Sequence, residues 1–535
     1  MRGLMMDMPL TLTAVLLHAA TVHGGVEVVS RGADGALHRS TYADLAERSQ
    51  KLAHALATFG LKQGDRVGTL AWNNTRHLEL YYGTSCAGFV CHTINPRLFP
   101  PQIAGIIRHA EDSLIFVDPH LVGILAAMPD ALASVKAVVV MTDRAGMPSV
   151  PELPGLLCYE DLLEGHPGHY DWPVLDEHAA AALCYTSGTT GEPKGALYSH
   201  RSSVLHAMSV CMQDVFAISS GDTILPVVPM FHVAAWGIPY AALIAGAKLV
   251  LPGPRLDGAS LHQLITTEGV TCTAGVPTVW MAMLDWVEAN GASLKPLNRV
   301  GIGGSACPTI LAERFEKLDI EVIHAWGMTE TSPVSLANRL QPRHRALPPQ
   351  ARARHAAKQG RPLFGVETRV VDEIGADVPR DGSSFGTLLV RGPWIASAYF
   401  NQDSDENFAH KGWFATGDVV TTDPDGTVEI VDRTKDVIKS GGEWISSIAL
   451  ENIAASHPAV RQAAAIAIPD PQWGERPLLA VILRADTAVT AEELRAHFAG
   501  KVARWAVPDR IEFVSELPHT ATGKLSKRHI RALFG

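Results

Sequence analysis

The chain has 535 residues, with 45 Lys and Arg against 55 Asp and Glu, giving a formal net charge of −10. That balance lacks the basic face that sequence-independent nucleic-acid binding needs, so no nucleic-acid partner is expected. Hydrophobic residues make up 47% and charged residues 19%, which excludes a disordered chain. The length exceeds one compact core, so two or more lobes are expected.

Taken in chain order, the first twenty residues (MRGLMMDMPLTLTAVLLHAA) are apolar but broken by Asp7 and Pro9. Their basic start is thin and no small-x-small cleavage site follows, so a signal peptide is not expected. No run of ~18 uninterrupted apolar residues occurs, so no transmembrane segment is expected. Seven cysteines, an odd number without Cys-x-x-Cys spacing, read as reduced and mostly buried thiols of a cytoplasmic protein. Short apolar runs at residues 113–117, 135–140 and 300–302 alternate with helix-like stretches, which predicts an α/β fold. Residues 341–360 (QPRHRALPPQARARHAAKQG) are basic and Pro-containing; they read as a solvated surface loop, with a phosphate-steering patch as the other reading. Near residues 432–435 the texture changes. A predicted strand at 478–483 and an amphipathic helix at 491–498 suffice for a small α+β domain. The expected division is a large domain over 1–431, a linker or hinge at 432–435, and a small domain over 436–535.

The most informative segment is residues 185–195, YTSGTTGEPKG, entered from an apolar run at 179–184. Gly188 and Gly191 let the backbone approach an anion. Thr186, Ser187, Thr189 and Thr190 add hydroxyls, and Lys194 adds positive charge. Such density of amides and hydroxyls suits a polyphosphate. It is not a Walker A loop, because Lys194 follows Pro193 and precedes Gly195. A competing signal is Gly301–Ala306, which fits Gly-x-Gly-x-x-Ala with Asp319 and Glu321 further on, and could mark the dinucleotide turn of an NAD-linked oxidoreductase. Pro308 would then fall in the first turns of the helix, which weakens that reading.

With the loop in place, further motifs follow in order: WGMTE at 326–330, GWFATGD at 412–418, DRTKD at 432–436, KSGGE at 439–443 and PHTATGK at 518–524. Together they resemble the adenylate-forming superfamily of acyl- and aryl-CoA synthetases, peptide-synthetase adenylation domains and firefly-type luciferases. Residues 227–236 (VVPMFHVAAW), 273–280 (TAGVPTVW), 391–399 (RGPWIASAY) and 440–447 (SGGEWISS) look most like bacterial medium- and long-chain fatty acyl-CoA synthetases, and methylthiopropionate-CoA ligases look similar there.

The resemblance implies a large α/β domain, a small mobile α+β C-terminal domain and an active site between them. It implies two steps: a carboxylic acid and MgATP give an acyl-adenylate and pyrophosphate, then coenzyme A gives the thioester and AMP. The phosphate loop Thr186, Ser187, Gly188, Thr189, Thr190, Gly191 and Lys194 would hold the β- and γ-phosphates. Glu330 and Thr186 would hold Mg²⁺, a hard cation that prefers oxygen ligands. Gly303, Gly304, Ser305, Trp326, Gly327, Met328 and Thr329 would line the adenine and acyl-adenylate site. Asp418 would accept from the ribose hydroxyls and Arg433 would donate to them. Lys524 would bridge the carboxylate and the α-phosphate. Lys435 falls at the hinge of a C-terminal domain that rotates between half-reactions, and Lys439, Gly441, Gly442, Glu443 and Trp444 would line the pantetheine tunnel. Close relatives are homodimers, which implies the same here, with residues 10–20 as a contributor.

By the same resemblance, Phe231, His232, Val233 and Trp236 form the segment that gates the acyl tunnel, with Trp236 as the gate and plain core packing as its other reading, and Tyr240, Gly303, Gly304, Cys307 and Pro333 are further wall residues. None of these walls is charged, which suits an acid with an uncharged tail. His232 either orients the substrate carboxylate or is a satisfied core histidine; the sequence leaves both open. Chain length is not legible, because one methylene is worth only ~1–3 kcal/mol in an apolar pocket.

Overall fold

A computed structural model describes residues 1, 3–186, 193–402, 405–408, 412–441, 443–518 and 525–534. The chain divides into two compact units: the first holds Met1–Thr186, Pro193–Glu367 and Arg391–Asp405, the second Thr368–Val390 and Glu406 onward.

In the first unit, seven strands lie in the order Leu157–Cys158, Ala137–Val140, Asp112–Val117, Arg66–Leu70, Val90–Thr93, Ala180–Tyr185, Gly195–Ser199. All neighbours are parallel except the last pair. A nine-stranded sheet runs Arg361–Pro362, Val334–Asn338, Glu321–Gly327, Arg299–Ile302, Cys272–Gly275, Thr223–Pro226, Lys248–Leu251, Glu27–Arg31, Leu37–Thr41. Its middle is parallel and both ends are closed by antiparallel strands. The predicted α/β class is thus observed, and the apolar runs at 113–117, 135–140 and 300–302 fall on or within strands. Buried strands of this kind read as continuous apolar runs because both faces are covered. The helix Thr75–Cys86 is buried on nearly every side, since it touches strands of both sheets.

The first helix, Leu12–Val22, is capped by Thr11 and turns Leu12, Val15, Leu16 and Ala19 inward, leaving Leu17 and Val22 exposed. Residues 341–360 differ from the expected solvated loop. They form two short helices, Pro342–Arg345 and Pro349–Ala356, with His344, Ala353 and Ala356 buried. Proline at each helix start supplies the preset φ. Two of the four arginines pair with neighbouring carboxylates: Arg345 with Glu321 at 2.9 Å, and Arg352 with Glu316. All seven cysteines are free thiols, six of them buried. No helix among the described residues is long and apolar enough to cross a membrane.

In the second unit, an antiparallel sheet joins Glu367–Val371, Phe385–Arg391, Phe414–Thr422 and Val428–Arg433. A five-stranded sheet joins Glu443–Ile445, Ile438–Ser440, Gly474–Leu483 and Val460–Asp470, with Arg510–Phe513 beside Gly474–Leu483. The predicted strand at 478–483 and helix at 491–498 are present, as Gly474–Leu483 and Ala491–His497. Residues 432–435 lie inside this unit: the Asp432 carboxylate accepts from the Ser447 amide at 2.5 Å and the Ser447 hydroxyl at 2.9 Å.

Candidate active site

The strands Ala180–Tyr185 and Gly195–Ser199 pair antiparallel, with Tyr185 opposite Gly195. Beyond them the Thr186 amide donates to the Lys194 carbonyl at 2.9 Å, and the Lys194 amide donates to Thr186 Oγ1 at 3.2 Å. The two strands therefore form a hairpin whose neck is closed at Thr186 and Lys194. Ser187, Gly188, Thr189, Thr190 and Gly191 lie outside the described residues.

Two bonds tie this neck to two other segments, and a third joins those segments to each other. Tyr198 Oη donates to the Thr329 carbonyl at 2.6 Å, the Phe400 amide donates to the Gly195 carbonyl at 2.8 Å, and the Ala396 amide donates to the Glu330 carbonyl at 2.7 Å. Glu330 sits on a short turn, Thr329–Thr331, at the end of strand Glu321–Gly327. Gly327 cannot be replaced there, since a Cβ would lie 1.7 Å from the Pro333 carbonyl oxygen. The Glu330 residue is only 5% exposed, and its Oε1 accepts from Tyr399 Oη at 2.5 Å. The same Tyr399 ring carries Lys194 Nζ over its face, 4.9 Å from the centroid, and that ammonium is ion-paired with Asp405. One tyrosine thus touches the acid and the base that the motifs singled out. A buried carboxylate needs such partners.

The other expected residues of this unit gather at the carboxyl ends of adjacent parallel strands, where open α/β sheets bind ligands. Gly303, Gly304 and Ser305 follow Arg299–Ile302, and Trp326 to Thr329 end the neighbouring strand. A Cβ at Gly303 would lie 2.5 Å from the Ala325 carbonyl and 2.8 Å from the Trp236 ring. The Gly301–Ala306 turn does not open a helix: the next one starts at Thr309, with Pro308 in the cap position. The amides a dinucleotide pyrophosphate needs are therefore not aimed at this turn.

The acyl segment follows strand Thr223–Pro226 and is held from one side. Asn73 Nδ2 donates to the Pro226 and Val228 carbonyls, both at 2.9 Å, and Asn73 Oδ1 accepts from the Met230 amide at 2.6 Å. Tyr81 bonds the Met230 carbonyl, and Tyr82 the Pro239 carbonyl at 3.2 Å. Beyond lies a left-handed turn: Val233, Ala234, Ala235, Trp236 and Gly237 have φ of 44°, 49°, 47°, 59° and 71°. Left-handed backbone costs a non-glycine residue about 1–2 kcal/mol, so this turn is strained. Trp236 is buried, stacked at 16° on Phe216 and set on Gly303. Val233 and Pro333 are buried, while His232 is half-buried. Tyr240 is buried against Tyr81 and Tyr82, and burial holds its phenol well above the usual range. Cys307 packs in the apolar core with Ile302 and Leu311, and burial pushes its thiol up to about 12. His206 links the two regions: Nε2 accepts from the Val334 amide at 3.0 Å, while a Cβ at Gly237 would lie 2.6 Å from its Nδ1. Burial pushes this imidazole down to about 3, so it stays neutral.

In the second unit, Asp418 stands opposite Arg433 across the strand pair, with Arg433 Nε 2.9 Å from its carboxylate. Asp418 is 1% exposed, and Arg433 also donates to the Thr416 carbonyl at 3.1 Å. Lys439 pairs with Glu373 at 2.7 Å and lies over the Trp444 ring. Gly441 has φ 62°, with its Cα packed against Trp473. Glu443 is exposed, and Gly442 and Lys524 lie outside the described residues.

Sequence reasoning missed Tyr399, Tyr198, Asp405, Asn73 and His206. Tyr399 stands at the end of a quoted motif, but nothing local indicates that it reaches Glu330. Asp405 carries no sequence signal at all.

This fold and this cluster define a nucleotide-handling α/β enzyme of the adenylate-forming type. Residues 16–400 match the family described as AMP-binding enzyme, and residues 449–524 match the AMP-binding enzyme C-terminal domain, so the chain belongs to the AMP-binding enzyme family. It is similar to the 3-methylmercaptopropionyl-CoA ligase of Ruegeria lacuscaerulensis, 49% identical over 535 residues, covering 100% of this chain and 99% of that one. It is equally similar to the medium-chain-fatty-acid–CoA ligase of Ectopseudomonas oleovorans, 49% identical over 536 residues, covering 100% and 98%. The long-chain-fatty-acid–CoA ligase of Thermus thermophilus is 47% identical over 535 residues, covering 99% and 96%. Among solved structures, an anthranilate CoA ligase in complex with anthranoyl-AMP superposes with a TM-score of 0.85 at 25% identity, covering 98% of each chain.

Proposed function

We propose that this chain is an ATP-dependent acyl-CoA synthetase, an acid–thiol ligase that adenylates a medium- or long-chain fatty acid and passes it to coenzyme A. The observation that carries the reading is the Tyr399 cluster. It presents a buried carboxylate, Glu330, and the lysine of a hydroxyl-rich hairpin on one aromatic side chain. The identity to acyl-CoA ligases over the whole chain supports the same chemistry. Bringing a carboxylate against a polyanion needs charge neutralisation and positioning more than a protein nucleophile.

Lys194 neutralises the β- and γ-phosphates, and Lys524 bridges the carboxylate and the α-phosphate. Asp418 and Arg433 address the ribose. Residues 432–435 act as the hinge of a mobile small domain, and Lys439 to Trp444 line the pantetheine path. The oxygen donors Glu330 and Thr186 fit Mg²⁺, which when bound offsets phosphate charge. His232, Val233, Trp236, Tyr240, Cys307 and Pro333 contact the acyl chain, and their uncharged set suits an apolar tail. The equal identity to a 3-methylmercaptopropionyl-CoA ligase supports a second reading, a thioether acid as substrate. We also propose a cytoplasmic homodimer, which suits the free thiols and the exposed Leu17 and Val22.

The test is pyrophosphate release with MgATP and coenzyme A over acetate, octanoate, palmitate, 3-methylthiopropionate and benzoate. A coenzyme-A-dependent maximum at octanoate or longer supports the fatty-acid reading. A maximum at 3-methylthiopropionate moves the substrate and keeps the class. Turnover that ignores coenzyme A overturns the synthetase reading.

A further inference from the structure

Lys194 already has an anion. Its ammonium is paired with Asp405, 211 positions away in the chain, and the Asp405 side chain is only 8% exposed against 35% for the lysine. The aspartate is therefore the better shielded member, and it meets the same charge that a polyphosphate would meet. Tyr399 stands beneath the pair, its ring under the ammonium and its hydroxyl on Glu330. An ammonium paired with a carboxylate already has its single positive charge offset, so a polyphosphate that claims that charge competes with the carboxylate.

We propose that Asp405 is a positioning residue acting through Lys194: an internal anion that holds the loop lysine until a polyphosphate displaces it, and that takes it back as pyrophosphate leaves. The assignment rests on the reading of Lys194 as a phosphate ligand. A carboxylate carries one negative charge, whereas pyrophosphate and the ATP tail carry several, so the exchange favours polyphosphate and disfavours singly charged anions. Weak anions then cannot hold the lysine, and product release has a ready acceptor for the vacated ammonium. A purely supporting aspartate, one that merely aims Lys194 at its ligand, would act with the opposite sign.

The experiment is titration of the full chain with inorganic pyrophosphate and Mg²⁺, followed calorimetrically, for the parent, Asp405→Asn, Lys194→Ala and the double variant. Competition against ATP in the turnover assay runs in parallel. Removing the rival anion should tighten pyrophosphate binding about three- to tenfold and lower the KM for ATP in the same direction. In the Lys194→Ala background the same change should have no effect. Pyrophosphate binding that is unchanged or weaker in Asp405→Asn overturns the proposal. If Lys194→Ala leaves pyrophosphate binding intact, the reading of Lys194 fails instead, and the two failures are distinct. Asp405→Ser, which also lacks the charge, provides the same readout if the asparagine variant does not fold.

Discussion

The nucleotide-handling cluster and the acyl segment lie in one unit and are built on opposite principles. Around Glu330, orientation is fixed bond by bond: Tyr399 on the carboxylate, Tyr198 on the Thr329 carbonyl, Ala396 on the Glu330 carbonyl, Thr186 and Lys194 on each other. Around Trp236, orientation is fixed by a left-handed backbone and by ring packing on Phe216 and Gly303. Hydrogen-bonded charge tolerates little displacement, because each group left unpaired costs its desolvation. A strained turn holding an aromatic ring is a local arrangement that can change its packing without leaving a charge unpaired. Under the proposed function, chemistry common to all substrates falls in the first kind of environment and substrate choice in the second.

The largest effect should come from removing the lysine proposed to bridge the carboxylate and the α-phosphate. Lys524→Ala should lower the adenylation rate by about a thousandfold or more while largely sparing thioester formation from supplied acyl-AMP. Single-turnover assays of each half-reaction check it, and equal loss in both would break the assignment. Next, Glu330→Gln keeps the shape and the Tyr399 bond but removes the charge. It should cost about a hundredfold in kcat for octanoate, with the acid preference unchanged.

These two rest on residues that the sequence displayed openly. Thr186, Lys194, Glu330 and Asp418 lie in short motifs whose composition alone suggests phosphate, metal or hydroxyl chemistry, and the strand that leads into Thr186 is a continuous apolar run. What braces them was not legible. Tyr399 reaches Glu330 across 69 positions and Asp405 reaches Lys194 across 211, and no local pattern encodes either meeting. The left-handed turn was equally hidden, since Val233, Ala234 and Ala235 have no intrinsic preference for positive φ and adopt it only under the surrounding packing. The basic stretch at 341–360 is largely solvated as expected, but it forms short helices instead of a loop, with Arg345 and Arg352 paired to Glu321 and Glu316, distant in sequence, and Ala353 and Ala356 buried.

The acyl half offers a smaller, selective effect. Trp236→Ala should raise the ratio of kcat/KM for palmitate over octanoate by about tenfold and leave the KM for ATP within about twofold. A matching loss on the nucleotide side would show that the two regions are less separable than their construction suggests. A last effect concerns stability rather than activity. His206 is held down at about 3 by burial, against an ordinary 6.5. Its stabilisation is complete above pH 6.5 and is lost as pH falls toward 3, because the unfolded chain takes up the proton first. His206→Gln keeps an acceptor for the Val334 amide without titrating. Its unfolding free energy, from urea titrations, should fall less steeply over that window, by up to one proton's slope, about 1.4 kcal/mol per pH unit. His77 and His200, both pushed down to about 4 by burial, should leave a residual slope.

His206 also bears on how such an enzyme can diversify. One imidazole is wedged against Gly237 at the foot of the acyl turn while it receives the Val334 amide just beyond the Glu330 turn. A mutation that reshapes the turn by lifting Gly237 presses on that ring, and the ring passes the displacement to the strand beside the catalytic carboxylate. Changes confined to the outer side chains of the turn avoid this route. Under the proposed roles, drift in substrate preference is channelled into positions such as Trp236, whereas backbone remodelling at residue 237 would disturb the segment beside Glu330 whatever the acid.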